Sequence, residues 1–238
     1  MLSISRRQLS VIAAALALAA CHTPVNEQPP APELGSGYRT DLITQHAERH
    51  MAAAANPLAA EAGREMLRKG GSAIDAAIAM QAVLTLVEPQ SSGIGGGAFI
   101  MLWDGKKVHA YDGRETAPAG ATERLFLNAD GTPMTFTDAQ IGGRSVGTPG
   151  VLRALEMAHK KTGQLRWAEL FEPAIRLSEQ GFAISPRLHS LIAADRFIAQ
   201  SPEMAAYFLN ADGTPQATGT LLKNPALAAV FKRIANEG

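Results

Sequence analysis

The stretch SSGIGGGAFI, residues 91 to 100, has the spacing of a phosphate-binding loop. Gly93, Gly95 and Ala98 follow the Gly-x-Gly-x-x-Ala form of the dinucleotide fingerprint, in which backbone N–H groups at a helix N-terminus hold a pyrophosphate. An acidic residue about 20 positions further on should bind the ribose, and Asp112 or Glu115 stands there. The spacing alone therefore allows a nucleotide-binding enzyme.

The residues on either side of this run argue against a nucleotide site. The fingerprint must open a helix, because the helix N-terminus holds the phosphate. Here the β-rich runs at 98–103 and 108–111 flank Asp104-Gly105, which predicts a hairpin, and the segment before the glycines predicts a helix. We interpret the match as accidental, and the glycines as positions where the backbone approaches another group closely.

Other residue patterns that could carry chemistry are weaker. His46 and His50 would share one face of a helix, but Glu48 falls one place later than in the His-Glu-x-x-His zinc motif. We therefore favour a polar segment over a metal site. Trp103 and Trp167 are interpreted as core or subunit-contact residues rather than a ligand platform.

Start signals predict most of the helices. A capping Asn, Ser or Thr directly before Pro supplies an acceptor for a free N–H group, while Pro has no N–H to lose. Five such pairs begin helix-compatible segments, with the caps Asn56, Thr148, Ser185, Ser201 and Asn224. The predicted helices cover about 57–69, 149–161, 167–180 with a bend or break at Pro173, 186–198 and 225–236, with a further one after Ser201.

The glycines at 70 and 71 end the first helix, and Ser72 caps a second one over 73–87 with Asp75 completing a capping box. The segment FLNADGTP occurs twice, at 126–133 and 208–215. The sequence Asn-Ala-Asp-Gly is typical of a tight turn. A calcium-binding loop would need more oxygen ligands at regular spacing. We therefore predict two similar surface turns.

The composition is that of a globular protein. Of 238 residues, 46% are hydrophobic and 18% are charged, which is enough apolar material for a core. Lys+Arg and Asp+Glu are equal at 22 each, so no overall field attracts nucleic acid, and no nucleic-acid partner is expected. The single cysteine has no partner for a disulfide, and no cofactor or metal is expected.

Residues 1–21 read as a bacterial export signal. Arg6 and Arg7 precede an apolar run that is too short to span a bilayer, and small residues stand directly before Cys21. This resembles a lipobox, which predicts cleavage before Cys21 and a lipid anchor that holds the protein at the periplasmic side of the membrane. An ordinary signal peptide with an incidental cysteine is the alternative. Residues 22–40 are rich in Pro and small residues and predict a flexible tether.

Three blocks within 41–238 resemble the gamma-glutamyltranspeptidases, in that family's order: NPLAAEAGREMLRKGGSAIDAAIAMQAVLTLVEPQSSGIGGGAFIMLWDG, YDGRETAP and SVGTPGVLRALEMAHKKTGQLRWAELFEPAIRLSEQGFAIS. The resemblance implies an α+β fold, the N-terminal nucleophile hydrolase α-β-β-α sandwich, with only its N-terminal portion present. It also implies a precursor that cleaves itself into a large and a small subunit. The new N-terminal Thr of the small subunit would be the nucleophile and its own amine the base. The gamma-glutamyl group of glutathione would pass to an amino acid, a peptide or water.

The resemblance assigns substrate binding to Arg114, in the segment DGRET. This residue matches the family's large-subunit arginine, which is expected to bind the α-carboxylate of the gamma-glutamyl group. A guanidinium offers a rigid fork of donors to a carboxylate and keeps its charge near neutral pH. Asp112 or Glu115 is expected to orient it. The glycines at 95–97 are expected to let the backbone pass close beneath the active-site floor.

The chain is shorter than the precursors of this family and contains no Thr-Thr pair. We therefore expect a truncated large-subunit domain with no catalytic residue of its own. Its expected partners are a gamma-glutamyl substrate such as glutathione and the missing C-terminal part and small subunit of the same precursor. On this interpretation the chain alone has no transferase or hydrolase activity. A lipid-anchored binding module without catalysis and an inactive remnant are the alternatives.

Overall fold

The computed structural model describes residues 44–238, which lie within one unit, Arg39–Gly238. The predicted export signal at 1–21, with Cys21, and the predicted tether at 22–40 lie outside the described residues. No helix in the described part of the chain is both long and apolar enough to cross a membrane. His46 and His50 lie in an exposed segment that is not helical, so they do not share a helix face.

Helices and short strands alternate along the described chain, and this confirms the predicted α+β composition. The α-helices are α1 (Pro57–Arg68), α2 (Ala73–Val87), α3 (Phe136–Gln140), α4 (Val151–Thr162), α5 (Glu172–Gln180), α6 (Pro186–Ala194), α7 (Pro202–Phe208) and α8 (Pro225–Glu237). The strands are β1 (Phe99–Trp103), β2 (Val108–Asp112), β3 (Phe182–Ala183) and β4 (Leu221–Leu222). Within residues 44–238, three 3₁₀ turns cover Gly143–Ser145, Trp167–Phe171 and Ile198–Gln200.

Four of the five predicted cap–Pro pairs begin helices. The side-chain oxygens of these caps accept a hydrogen bond from a backbone N–H of the first turn, at Asn56, Ser185, Ser201 and Asn224. The capping box of α2 is also confirmed: the Ser72 N–H donates to Asp75 Oδ2 at 2.7 Å, and the Asp75 N–H donates to Ser72 Oγ at 3.3 Å. These ends are predictable because the bonds are local in sequence.

The prediction that Thr148 caps a helix starting at 149 is wrong. α4 begins at Val151, with Gly150 in the cap position and no side-chain cap. The backbone of Thr148 is instead paired with Thr116, while the N–H groups of Gly150 and Val151 both donate to the Gly96 carbonyl at 3.2 Å. A distant carbonyl thus replaces the local cap.

For two further helices, the predicted break is confirmed and one predicted end needed correction. The segment 167–180 is divided into a 3₁₀ turn and α5, with the change just before Pro173, as the predicted break requires. α6 ends at Ala194 rather than 198, because Asp195 Oδ1 accepts the N–H groups of Phe197 and Ile198 and starts a new turn. The short helix α3 was not predicted.

α2 lies at the centre of the core. Nine of its residues are buried, and it packs against α1, α4, α5 and the turn at Trp167–Phe171. Asp75, which completes the capping box of α2, is fully buried and also accepts the backbone N–H groups of Gln164 and Leu165. α8 closes the helical layer, where its Phe231 meets the ring of Phe171 at 6.2 Å.

The predicted hairpin is confirmed: β1 and β2 pair antiparallel with Phe99 opposite Asp112 and Trp103 opposite Val108. One face is turned toward the core, where Tyr111 is buried. The other face is apolar and open. Phe99, Met101, Trp103 and Val108 are 68%, 70%, 60% and 53% exposed, respectively.

The two FLNADGTP segments form the same surface turn, as predicted. Leu127 pairs with Pro133 in the first copy, and Leu209 pairs with Pro215 in the second. Gly131 and Gly213 have φ values of 84° and 81°, which a residue with a Cβ rarely adopts. In each copy the Asp carboxylate accepts hydrogen bonds from the following Thr and thereby keeps a lowered pKa.

Candidate functional site

Three backbone segments meet at the end of the hairpin, and together we call them the glycine frame: residues 96–98, 113–116 and 148–151. Ala98 and Gly113 exchange two backbone hydrogen bonds of 3.2 and 2.9 Å. Thr116 and Thr148 exchange two more, of 3.3 and 2.9 Å. With the two bonds to the Gly96 carbonyl described above, the glycine loop also caps α4. The frame fixes the backbone on either side of Arg114.

The close approach predicted for the glycine run is found at Gly97. A Cβ added there would lie 2.6 Å from the Gly113 carbonyl oxygen and 2.7 Å from the Arg114 Cα. A Cβ on Gly113 would lie 2.7 Å from that of Ala154 in α4. At Gly95 no atom lies within 4 Å of the added Cβ. Within the glycine run, the steric requirement for glycine is therefore strictest at Gly97 and absent at Gly95, and outside the run Gly113 shares it.

Arg114 extends from this frame with its side chain 59% exposed. Its backbone N–H donates to Asp112 Oδ1 at 3.0 Å, and its Nε lies 3.5 Å from Glu115 Oε2. The guanidinium carbon lies 6.0 Å from the ring centre of Phe99. Of the two acidic residues expected to orient the guanidinium, Glu115 contacts it and Asp112 holds the backbone.

The Glu115 side chain occupies space that is free only because Gly97 and Gly147 have no side chains. A Cβ on Gly97 would lie 2.6 Å from its Oε2, and a Cβ on Gly147 would lie 2.7 Å from its own Cβ. Within the described chain, Oε2 is buried and has no hydrogen-bond donor. A carboxylate held this way next to Arg114 limits the positions that the guanidinium can take.

Arg114 and Glu115 open onto a cleft of about 510 Å³. This volume is within the usual range for small-molecule sites, about 300–1,000 Å³. The cleft carries a second guanidinium, that of Arg144, and its apolar lining comes from Ala117, Pro118, Leu125, Phe126 and Val146. With two guanidinium groups and one carboxylate, the cleft favours an anionic ligand.

The cleft is suited to binding rather than to nucleophilic chemistry. None of the histidines between residues 44 and 238 lines it. The Ser145 Oγ–H is used in hydrogen bonds to the Gln140 carbonyl at 2.6 Å or the Gly142 carbonyl at 3.1 Å. A hydroxyl nucleophile needs a base within hydrogen-bond reach, and none of the lining side chains supplies one to Ser145. The described residues of this cleft therefore offer groups suited to binding an anion rather than a nucleophile.

A larger cleft, of about 780 Å³, lies between the loop at Gln140 and the turn that follows α6. Its charged groups are already engaged: Asp195 accepts two backbone N–H groups, and the Arg196 guanidinium lies 5.1 Å from the ring centre of Phe197. Since less of its charge is available to a ligand, the Arg114 cleft is the better candidate site despite its smaller volume.

Residues singled out for other chemistry do not join this site. No group of three His, Cys, Asp or Glu side chains that could hold a metal ion is found within residues 44–238. Trp103 lies on the open face of the hairpin, whereas Trp167 packs in the helical layer and donates its Nε1–H to the Ile234 carbonyl at 2.9 Å. Cys21 lies outside the described residues.

Arg144 is the site residue that sequence reasoning missed. It stands in the polar loop GGRSVG, and nothing in its spacing distinguishes it from a solvated arginine. Only the folded chain brings it to the cleft, 30 positions after Arg114.

The comparisons with known proteins agree on one family. Residues 59–238 match the family model described as gamma-glutamyltranspeptidase. The "Glutathione hydrolase proenzyme" of Bacillus subtilis strain 168 is 42% identical over 190 residues, which are 79% of this chain and 32% of that protein. The chain thus spans about a third of the length of the curated relatives it matches.

Solved structures give the same result. The gamma-glutamyltranspeptidase of Helicobacter pylori superposes with a TM-score of 0.75 at 31% identity, covering 81% of this chain and 56% of that one. The gamma-glutamyltranspeptidase of Pseudomonas nitroreducens, solved in complex with L-DON, gives a TM-score of 0.72 at 32% identity and the same coverage.

Proposed function

This chain belongs to the gamma-glutamyltranspeptidase family, with its N-terminal nucleophile hydrolase fold, and on that premise we propose that it is the substrate-binding part of a large subunit. The enzyme would transfer the gamma-glutamyl group of glutathione or a related compound to an amino acid, a peptide or water. The nucleophile would be the N-terminal Thr of the small subunit. The family match supports the reaction class, and the names of the relatives support glutathione as a substrate.

We assign Arg114 to the α-carboxylate of the gamma-glutamyl group. The observation that carries this assignment is the open guanidinium beside Glu115, held by a backbone that the glycine frame fixes on both sides. A guanidinium binds a carboxylate through two parallel N–H bonds, which sets the direction as well as the position of the bound group.

Binding at Arg114 would serve catalysis by positioning. Holding the α-carboxylate at one end of the gamma-glutamyl group confines its γ-carbonyl, at the other end, to a small volume. A nucleophile placed there by the small subunit then reacts as if within one molecule, which lowers the entropic part of the barrier. The described side chains would bind and orient the substrate, and the small subunit would supply the covalent step.

We propose that the rest of the enzyme packs on the open face of the hairpin. Phe99, Met101 and Trp103 are each at least 60% exposed on this face, and one apolar sheet face in a sandwich fold is covered by the second sheet. Anchoring through a lipid on Cys21 remains a prediction from the sequence.

Equilibrium binding tests the role of Arg114. We expect the full 238-residue chain to bind glutamate and S-methylglutathione, and Arg114→Ala to weaken both by roughly tenfold or more, because a charge-assisted fork is lost. Arg68→Ala, which removes an exposed guanidinium from α1, is the matched control and should bind as the wild type does. Equal binding by wild type and Arg114→Ala would contradict the assignment.

Two further measurements separate the alternatives. A cooperative unfolding transition of the chain would speak against an unstable remnant. Turnover of gamma-glutamyl-p-nitroanilide by the purified chain would contradict the expectation that the nucleophile comes from the small subunit. Binding without turnover fits both the proposed large subunit and a non-catalytic binding module, and restored activity on addition of a small subunit would identify the former.

A further inference from the structure

Arg144 shares the cleft with Arg114, and its guanidinium is held from one side only. Nη1 donates to the Leu125 carbonyl at 2.9 Å and contacts Met134 Sδ at 3.3 Å. Across residues 44–238, Nε and Nη2 have no hydrogen-bond partner, and no carboxylate pairs with Arg144. The group is therefore fixed in position while part of its donor fork stays available.

The two copies of the FLNADGTP turn show how this position arises. Leu125 and Met134 flank the first copy, and Tyr207 and Gln216 occupy the same places around the second. In the second copy the turn satisfies its own carbonyl, since Gln216 Nε2 donates to the Tyr207 carbonyl at 2.9 Å.

In the first copy Met134 has no such donor, and the Leu125 carbonyl is left for Arg144. In the second copy, the carbonyl before the turn is therefore bonded by the residue after the turn. In the first copy, the equivalent carbonyl holds Arg144 at the cleft. The residue that follows the turn differs accordingly: it is Met134 in the first copy and Gln216 in the second.

We propose that Arg144 binds a second carboxylate of the substrate, the one at the far end of the group attached to the gamma-glutamyl unit. In glutathione this is the glycyl carboxylate. The inference rests on the proposed function, because it takes Arg114 as the position of the α-carboxylate. The charges match: glutathione carries two carboxylates and one ammonium, and the cleft presents two guanidinium groups and the Glu115 carboxylate.

The consequence is a preference among gamma-glutamyl compounds. A donor that ends in a carboxylate would gain a second charge-assisted contact, whereas a gamma-glutamyl amide without one would be held by Arg114 alone. Arg144 thus acts as a specificity-determining residue for the leaving group. Its contribution should decrease with ionic strength, because the side chain is exposed.

The test compares S-methylglutathione with its C-terminal glycinamide on the full chain, by calorimetry at low salt. We expect Arg144→Ala to weaken S-methylglutathione binding roughly threefold to tenfold and to leave the glycinamide unchanged. Arg114→Ala should weaken both ligands. Arg68→Ala, with the same change of net charge, should weaken neither.

A second variant removes no charge. Met134→Gln should let the first turn satisfy its own carbonyl, as Gln216 does in the second, and release the guanidinium. We expect weaker binding of S-methylglutathione than in the wild type and no change for the glycinamide, with an unaltered thermal unfolding midpoint.

The outcomes are distinguishable. If Arg144→Ala binds both ligands as the wild type does while Arg114→Ala loses both, the second carboxylate position is wrong and the proposed function stands. An equal loss of both ligands in Arg144→Ala also contradicts the inference. If neither ligand binds to the wild type, this inference and the assignment of Arg114 fail together for this chain.

Discussion

Helix α2 and the β1–β2 hairpin are neighbours in sequence and are both strongly apolar, but they end in different environments. α2 buries nine residues among other helices of the same chain. The hairpin buries one face and leaves Phe99, Met101, Trp103 and Val108 more than half exposed. The helical layer therefore completes its packing within the described residues, and the outer hairpin face does not.

The charged groups that follow each element differ in the same way. Glu88, directly after α2, is 1% exposed and accepts hydrogen bonds from Asn56, Gln90 and Arg187. Arg114, two residues after the hairpin, lies 3.5 Å from Glu115 and 6.0 Å from the ring centre of Phe99, and its side chain is 59% exposed. In the helical layer, the buried Glu88 carboxylate is fully paired by groups of the same chain. At the end of the hairpin, the Arg114 guanidinium remains accessible to a ligand in the cleft.

The largest expected difference in unfolding free energy is between aromatic side chains in the helical layer and those on the open face of the hairpin. Phe171→Ala or Phe231→Ala removes a fully buried ring from the helical layer and should lower the free energy of unfolding by about 3–5 kcal/mol. Phe99→Ala on the open face should change it by less than about 0.5 kcal/mol. Urea unfolding of the three variants gives the comparison directly. A cost for Phe99→Ala near that of the core variants would mean that the outer face is already covered in the isolated chain.

The next effect concerns the buried carboxylate. Glu88→Ala should lower the free energy of unfolding by about 3 kcal/mol, because the Asn56 amide and the Arg187 guanidinium lose this acceptor in a buried place. The matched control is Glu156→Ala on α4, whose pairs with Arg153 and Lys160 lie at the surface and should contribute little. Similar unfolding midpoints for the two variants would show that burial does not decide the strength of these pairs.

A smaller effect should separate two glycines of one run. Gly97→Ala places a methyl group within 2.6 Å of the Gly113 carbonyl oxygen and should cost about 1–3 kcal/mol of unfolding free energy. Gly95→Ala meets no atom within 4 Å and should be neutral or stabilising by about 0.4 kcal/mol, through the unfolded chain. Denaturant unfolding of both variants measures the contrast, and equal costs would contradict the steric account of the glycine frame.

The sequence predictions were accurate where the interacting residues lie close together in the sequence and less accurate where they lie far apart. The caps at Asn56 and Asn224 and the Ser72 capping box were predicted because donor and acceptor lie two or three positions apart. The hairpin was predictable from its turn, in which Asp104 Oδ1 accepts the N–H groups of Lys106 and Lys107. Sequence patterns predicted these features correctly because each hydrogen bond joins residues that are close together in the sequence.

Interactions between distant positions were not predictable by these rules. The α4 cap failed because the Gly96 carbonyl, more than 50 positions earlier, takes the place of Thr148. The Glu88–Arg187 pair joins positions 99 apart, and Arg144 reaches its carbonyl across 19. The role of Arg114 was predicted only through the motif that carries the family resemblance, since periodicity and spacing do not select it.

The smallest expected effect is a dependence on pH at the outer surface of the helical layer. Partial burial raises the pKa of Glu65, but hydrogen bonds from Lys69 and Arg176 outweigh it, and the net pKa is lowered. A carboxyl whose pKa is lower when folded stabilises the protein above its unfolded pKa, about 4.3, and loses that contribution as the pH falls through the folded value. Glu65→Gln should therefore reduce the free energy of unfolding at pH 7 by up to about 1 kcal/mol. At a pH below the folded pKa the variant and the wild type should be equally stable. A difference that persists unchanged in acid would assign the effect of Glu65 to packing rather than to its charge.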